Sequence, residues 1–443
     1  MSKKILILQE YLFANTDANS KLVFRICKQL LGMGYDVSVL GVVHNEAEHV
    51  SEYQGIHLIH EPDNRAAFVK NLSNRLGRFK FLRFILCPRS IWYRYHYGRY
   101  MPFFLEARRW LRKHVSEYDA LIACCSPYYP LQLASEVADK VPVIYYKIDP
   151  VSSIYRVYDG DCALATVENE VKWDSVAMRI MMPDVVYRDY MRLPTKINGN
   201  KVRIVQFPNV RRLVDSRKSI DERSDQQSVI SSQLDNTKCN LFFIGKFYAD
   251  IRHPQYLFDL MGKLMGTGIV LHIVGPINNM GFDKEYIEKY FTNKIQNIRY
   301  HGAVPPAEAD ALLTQADVLV HVGNAVDSLM PSKILDYISS GKPILNICKI
   351  RTCPTIPLME RYPLGLTLFE PSVVSDQLSV VSSQSSVFSS QLAEQVKDFC
   401  MKNKGKQVPY EEIEKLYPEC TIEYVGKQFD KAIQDAIKEF KQK

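Results

Sequence analysis

The sequence predicts an α/β protein built from two doubly wound parallel sheets, and three observations carry that expectation. Short apolar runs alternate with helical periods along the chain, which is the pattern of parallel strands joined by crossover helices. The series restarts after residues 207–213, so it reads as two Rossmann-like halves. The chain has 443 residues, of which 47% are hydrophobic and 24% charged. That is enough for two or three domains with full cores and has the balance of an ordinary globular protein.

In the first half, residues 5–8 form an apolar run. Leu22, Ile26, Leu30 and Leu31 then keep a helical period that Gly32 and Gly34 end, and 36–42 reads as the second strand. The Gly-Met-Gly at 32–34 follows a helix rather than a strand, so it is no dinucleotide fingerprint. Strand 120–124, helix 131–139 and strand 141–148 follow. The second half reads as strand 241–244 ending in Gly245-Lys246, helix 254–265, strand 269–274 ending in Gly275, helix 283–291, strand 298–300, helix 306–315 and strand 318–322. A helix from Pro331 and strands 344–347 and 366–369 close the series.

The expected domains are an N-terminal one over 1–210, a linker over 211–238 and a C-terminal domain over 239–422. Two Ser/Gln-rich stretches, 224–234 and 375–392, resemble each other and read as low-complexity loops, one in the linker and one as an insert at 372–392. Ordinary surface helices are the alternative. The C-terminal segment 423–443 is amphipathic, with Val425, Phe429, Ile433, Ile437 and Phe440 at helical spacing. It needs a surface to lie on, and the N-terminal domain is the candidate.

The most informative stretch is 328–347: a loop, a short helix opened by Pro331, a stop at Gly341, then a strand. Proline suits the first helical position because its missing N–H would be unpaired there. The amides of Ser332 and Lys333 would then point out of the helix start, where the dipole favours an anion. Lys333 adds a full charge, and Asp336 lies on nearly the same face, about 4.5 Å further along the axis. Amides and an ammonium for a diphosphate, with a carboxylate for sugar hydroxyls, suit a nucleotide sugar. The plainer alternative is a surface ion pair.

Net charge is +7 but unevenly placed: residues 65–113 hold thirteen Lys or Arg against one acid, Glu106. Aromatics such as Phe79, Trp92, Tyr93, Phe103 and Phe104 interleave with those charges. Contact with an anionic membrane and solvated helix faces both explain this composition, and nucleic acid fits it less well. The ten cysteines show no CxxC pair and no disulfide framework, so a reducing cytosol is the default compartment. The opening apolar run is too short for a signal peptide, and no run approaches the roughly 18 apolar residues of a spanning helix. The expected location is therefore cytoplasmic, with peripheral contact on the inner face of the plasma membrane.

With these residues in place, the chain resembles the bacterial GT-B-fold glycosyltransferases. The likeness is to the retaining, nucleotide-sugar-dependent kind that builds capsules and exopolysaccharides. The matching residues are Phe-Ile-Gly-Lys at 243–246, Leu-His-Ile-Val-Gly at 271–275, Ile-Arg-Tyr-His-Gly at 298–302, Ala-Asp-Val-Leu-Val at 316–320 and the segment 331–344, with Phe-Pro-Asn-Val at 207–210 as the link. The resemblance implies two Rossmann-like domains facing a cleft and transfer of a sugar from a nucleoside diphosphate to a glycan or lipid-linked glycan. No cofactor beyond the donor is implied.

The same resemblance implies that Gly245, Lys246 and Arg252 hold the diphosphate, with the two basic types exchanged relative to the family. Gly275 and Asn324 join the donor set with Ser332, Lys333 and Asp336. The family's two glutamates fall on Ser328 and Asp336, so one carboxylate near the sugar is missing, and Asp327 is next door. On the acceptor side the loops after the first-half strands offer Asn15, Asp17, Asn19, Ser126 and Asp149. Asp149 is the first choice for a catalytic polar group and Asp17 the second, as a base.

Asp159-Gly160-Asp161 matches the metal-holding Asp-x-Asp of the other main glycosyltransferase fold. It stands in the wrong half and follows no suitable strand, so no metal ligand is assigned. His253, His272, His301 and His321 sit on or beside strands and read as structural. A nucleotide-sugar epimerase and a non-enzymatic sugar-nucleotide binder or scaffold remain as rivals. A dehydrogenase does not fit, because no glycine fingerprint follows the first strand of either half.

Overall fold

The structure is a computed structural model that describes residues 2–9, 18–41, 51–59, 101–125, 128–152, 166–193, 199–213, 234–277, 281–291, 295–370 and 383–443. Asn15, Asp17, Ser126, the Asp159-Gly160-Asp161 triplet, the basic residues 65–100 and the Ser/Gln-rich residues 224–233 and 371–382 lie outside the described residues. The chain divides into two compact units, Met1–Pro208 with Ile422–Lys443 and Asn209–Thr421.

The first unit runs β1 (Lys4–Leu8), α1 (Ala18–Gly32), β2 (Asp36–Leu40), β3 (Glu52–Tyr53), β4 (Ile56–Ile59), α2 (Met101–His114), β5 (Ala120–Cys125), α3 (Tyr129–Ser135), β6 (Val143–Lys147), α4 (Val167–Val176), β7 (Arg179–Met182), α5 (Asp184–Tyr190) and β8 (Val202–Ile204). Its sheet has the order β3-β4-β2-β1-β5-β6-β7-β8, parallel except for β3 against β4. The strand order reverses between β1 and β5, so the carboxyl ends of those strands flank the switch point. β3, β4, β7 and β8 have no counterpart in the sequence reading, since runs of two to four residues carry too little pattern to register.

The second unit runs β9 (Cys239–Ile244), α6 (Gln255–Lys263), β10 (Ile269–Val274), α7 (Lys284–Phe291), β11 (Ile298–Gly302), α8 (Pro306–Gln315), β12 (Val318–Val322), α9 (Lys333–Ser339), β13 (Ile344–Cys348), α10 (Ile356–Arg361), β14 (Gly365–Phe369), α11 (Ser383–Asn403) and α12 (Tyr410–Leu416). Its six strands are all parallel, in the order β11-β10-β9-β12-β13-β14. Renumbered within the unit this is 3-2-1-4-5-6, the dinucleotide-binding order, with its switch point between β9 and β12. Alternate residues share a face. Leu241, Phe243, Leu271, Ile273, Val318, Val320 and Val322 belong to one buried cluster with residues of α6, α7 and α11. α11 corrects the loop reading of 383–392. Ala393, Val396 and Cys400 give the helix a buried stripe that draws the preceding Ser/Gln residues into register.

The chain ends in α13 (Ile422–Phe440), which belongs to the first unit. Val425, Phe429, Ile433 and Ile437 are buried there. Phe429 meets Tyr146 of β6 edge-on at 5.1 Å, and Arg179 of β7 donates to Glu439 at 2.9 Å. Within α2, Phe104 is fully buried, and Arg108 pairs with Glu136 at 2.6 Å. Phe104 is therefore core rather than part of an exposed aromatic surface, because the helix needs an apolar face to pack. Among the described residues no helix is long and apolar enough to cross a membrane.

Candidate functional site

The switch point of the second unit gathers most of the predicted donor residues. Gly245 and Lys246 leave the carboxyl end of β9, and Asn324 follows β12. Arg252 joins them: its Nε donates to Asn324 Oδ1 at 2.9 Å and one Nη to the Lys246 carbonyl at 3.2 Å. A short bridge between Tyr248 and Arg252 returns the chain to this position. The Ala325 amide bonds to the Ile251 carbonyl at 2.7 Å, tying the two turns together. Asn324 in turn donates to the Leu329 carbonyl at 2.9 Å, two residues before Pro331. One hydrogen-bonded chain thus runs from the Lys246 turn through Arg252 and Asn324 to Leu329 in the loop that leads into α9. Lys246 is exposed and Lys333 half-exposed.

The start of α9 differs from the sequence reading. Regular helix begins at Lys333 with Ser332 as N-cap, two residues beyond Pro331. The Ile334 amide bonds to the Pro331 carbonyl at 3.1 Å, a tight three-residue step that precedes the α turns. The Ser332 hydroxyl makes no capping bond. Lys333 Nζ lies 3.4 Å from Asp336 Oδ2, so the two form an ion pair one turn apart. Asp336 Oδ1 lies 3.9 Å from Arg211, whose nearer partner is Asp310 at 2.9 Å. That oxygen is buried and makes no hydrogen bond among the described residues. Ser328 lies half-buried between Asn324 and Pro331, beside Asp327.

Two glycines hold the site's backbone. Gly275 has φ of +149°, and a Cβ there would stand 1.8 Å from the Gly245 carbonyl oxygen. It is a close-approach glycine that lets the β10 turn seat the β9 turn. Gly341 has φ of +72° and ends α9, with the Val408 carbonyl where a Cβ would be.

Among the described residues, the fully buried polar side chains of this unit are neutral ones. His272 lies between Asn240 at 3.1 Å and His301 at 2.9 Å, and Asn240 also donates to Asp317. Burial, with the neighbouring His301 and Arg299, pushes the His272 imidazole down to about 3. His321 bonds to Asn346 at 2.8 Å and is pushed down to about 3 by burial and the nearby Arg252. Both are therefore uncharged near neutral pH.

In the first unit, Asp149 follows β6 and accepts a hydrogen bond from Asn19 of α1 at 2.9 Å. The structure therefore brings together two of the acceptor-side candidates. Beside them is a group absent from the sequence reading. Lys147 Nζ is fully buried and lies 2.7 Å from Glu170 and 2.5 Å from Asp174. Glu170 also accepts from the Ser152 amide at 3.1 Å, fixing the segment that follows Asp149. Burial pushes Asp174 up to about 6, against the pull of Lys147. A lysine closing the otherwise apolar strand Val-Ile-Tyr-Tyr-Lys was the available signal.

No family model matches this chain, and no curated protein does. Solved structures do. Anabaena HepE in complex with UDP and glucose aligns over 98% of this chain and 99% of its own, at a TM-score of 0.60 and 10% identity. A glycosyltransferase from Rickettsia africae aligns over 99% of each chain, at a TM-score of 0.60 and 10% identity. WaaG, a glycosyltransferase involved in lipopolysaccharide biosynthesis, aligns over 93% of this chain and 98% of its own, at 0.51 and 13%. These are likenesses of architecture: the two mostly parallel sheets and their order along the chain are those of the GT-B fold.

Proposed function

We propose that this chain is a glycosyltransferase that takes its sugar from a nucleoside diphosphate held at the carboxyl edge of the second unit. The observation that carries the reading is the chain of hydrogen bonds linking Lys246, Arg252 and Asn324 at the β9/β12 switch point. A switch point is where an open α/β sheet accepts ligands, and this one presents two cations, with Lys333 following on α9. The complexes of HepE with UDP and with UDP-glucose make a uridine diphosphate sugar the first donor to test.

Breaking the bond between sugar and diphosphate builds negative charge on the leaving group. Lys246, Arg252 and Lys333 would stabilise that charge from fixed positions, the kind of contribution that dominates many enzymes. The reading needs no metal, because side chains supply the positive charge. Asp336, one of whose oxygens is buried and makes no hydrogen bond among the described residues, is assigned to the ribose hydroxyls. Ser328 and Asp327 are assigned to the sugar side. Asp149, oriented by Asn19, is assigned to the acceptor or sugar in the first unit. The acceptor class is a glycan or lipid-linked glycan of a surface polysaccharide, and the anomeric configuration is retained. The basic segment 65–113 is assigned to peripheral contact with anionic lipid on the cytoplasmic face. Flotation with anionic but not neutral vesicles tests that contact.

The test of the core reading is release of UDP from UDP-glucose and related donors, with and without oligosaccharide acceptors. Turnover should fall about 10²-fold in Lys333→Ala, as when one preorganised charge-stabilising group is removed. Unchanged turnover in that variant contradicts the assignment. A change of sugar configuration with no acceptor would favour an epimerase, and nucleotide binding with no turnover a scaffold.

A further inference from the structure

We infer that Tyr337 is a positioning residue for the diphosphate site, its hydroxyl standing in for the strand partner that β12 does not supply at Ile244. The inference rests on the donor reading above and names a residue outside the set that touches the ligand.

Each residue of β9 serves one of the two strands beside it. In a parallel strand, alternate residues direct their N–H and C=O groups to opposite sides. Cys239 and Gly245 bond toward β10, through the Gly268 and Val274 carbonyls. Asn240 bonds toward β12, accepting from the Asp317 amide at 3.0 Å. By the period of two, Phe242 and Ile244 also serve the β12 side. Phe242 is in register with Leu319, and there the pairing of β9 with β12 ends.

Ile244 is thus left, at the last position of β9, with both backbone groups turned to the β12 side beyond the last paired position. They are not left unpaired. The Ile244 amide donates to Tyr337 Oη at 2.8 Å, and that hydroxyl donates back to the Ile244 carbonyl at 3.2 Å. Tyr337 is 1% exposed, so no water competes for either bond. One side chain closes the two bonds a strand residue would have made.

The placement gives this arrangement a consequence. Ile244 directly precedes the Gly245–Lys246 turn. Tyr337 lies one turn after Lys333 and directly after Asp336 on α9. The two bonds therefore fix the separation between the cation leaving β9 and the cation opening α9. Parting of β9 from β12 opens the crevice at the switch point, and the tyrosine sets how far it opens.

The test compares Tyr337→Phe with Tyr417→Phe. Tyr417 is a buried tyrosine of the same unit whose hydroxyl donates to the Leu358 carbonyl at 2.6 Å. UDP is titrated calorimetrically well below the melting point of each protein. Tyr337→Phe should weaken UDP about tenfold through misplacement of the two cations, with Tyr417→Phe staying near wild type. Equal affinity in all three proteins, or equal loss in both variants, overturns the inference. A wild type that binds no UDP overturns the donor reading instead, and amide hydrogen exchange then judges Tyr337 alone. In Tyr337→Phe the Ile244 amide should exchange faster together with the first turn of α9, and unchanged exchange at both overturns the inference. If Tyr337→Phe does not fold, the wild type decides: Ile244 and the α9 amides must open as one unit, and independent exchange contradicts the role.

Discussion

The two units share an α/β plan but handle polarity in their interiors in opposite ways. The first buries charge: Lys147, Glu170 and Asp174 form a triad beneath the carboxyl end of β6, next to Asp149. The second buries neutral groups. Its interior holds the Asn240–His272–His301 ladder and the His321–Asn346 pair, with Lys246 exposed and Arg252 and Lys333 partly exposed at the strand ends. A buried ion network is sensitive to the loss of any member, whereas neutral imidazoles are sensitive to acid. An edge that keeps its cations accessible suits an anionic ligand, and a buried lysine already matched by two carboxylates does not. The contrast separates the charge set proposed to face the diphosphate from one that only holds the scaffold.

The largest effect expected from this contrast is at Lys147. Lys147→Met leaves two carboxylates buried without a cation and should cost about 3–5 kcal/mol. Calorimetry should show the first unit melting ahead of the second. Adding Glu170→Gln and Asp174→Asn should recover most of the loss, because the uncompensated charge is then gone. A variant as stable as wild type would mean the triad is not the anchor described.

Acid should weigh on the second unit more than on the first. His272 and His321 are held down to about 3 in the folded chain, while an unfolded histidine titrates near 6.5. Between those values the unfolded state binds more protons, so stability falls as pH drops below 6.5. The slope is about 1.4 kcal/mol per pH unit for each histidine. Asp174 has the opposite sign. Its folded value is raised to about 6, so the folded first unit takes up a proton before the unfolded chain does and gains stability as pH falls through 6. Melting curves at pH 7 and pH 5 should therefore show the second unit losing more. A larger loss in the first unit would contradict the assignment of these protonation states.

A smaller effect, of about 2 kcal/mol, is expected at Gly275→Ala, where a Cβ meets the Gly245 carbonyl in a conformation that side chains rarely adopt. Because the strain falls on the Lys246 turn, nucleotide affinity should drop by more than a control of equal destabilisation in the first unit, measured by UDP titration. An unaltered affinity would separate the turn from the site.

Much of this was legible in the chain. Long apolar runs such as 269–274 and 318–322 announced the second sheet, and the segment 331–344 announced α9 and its following strand. The strands β7 and β8 were not legible, because four residues opening with Arg179 and three that are not fully buried carry no clear period. Lys333 and Asp336 were readable from spacing on one helix. Their setting was not. Arg211 reaches Asp336 from 125 positions away in the sequence, and Tyr337 binds a strand 93 residues earlier. Contacts of that kind are set by topology, and no local pattern encodes them. The loop reading of 383–392 failed for a related reason: the stripe that makes the segment helical lies in Ala393, Val396 and Cys400, beyond the stretch of biased composition.

The central claim is that Lys246, Arg252 and Lys333 act on one diphosphate. Its most direct test is calorimetric titration of UDP into wild type, Arg252→Gln and Lys333→Ala at low and moderate salt. Saturable binding that weakens at least tenfold in each variant, with a shallower salt dependence, is the result this account predicts. Wild-type affinity in both variants, or no binding by the wild type, would contradict it.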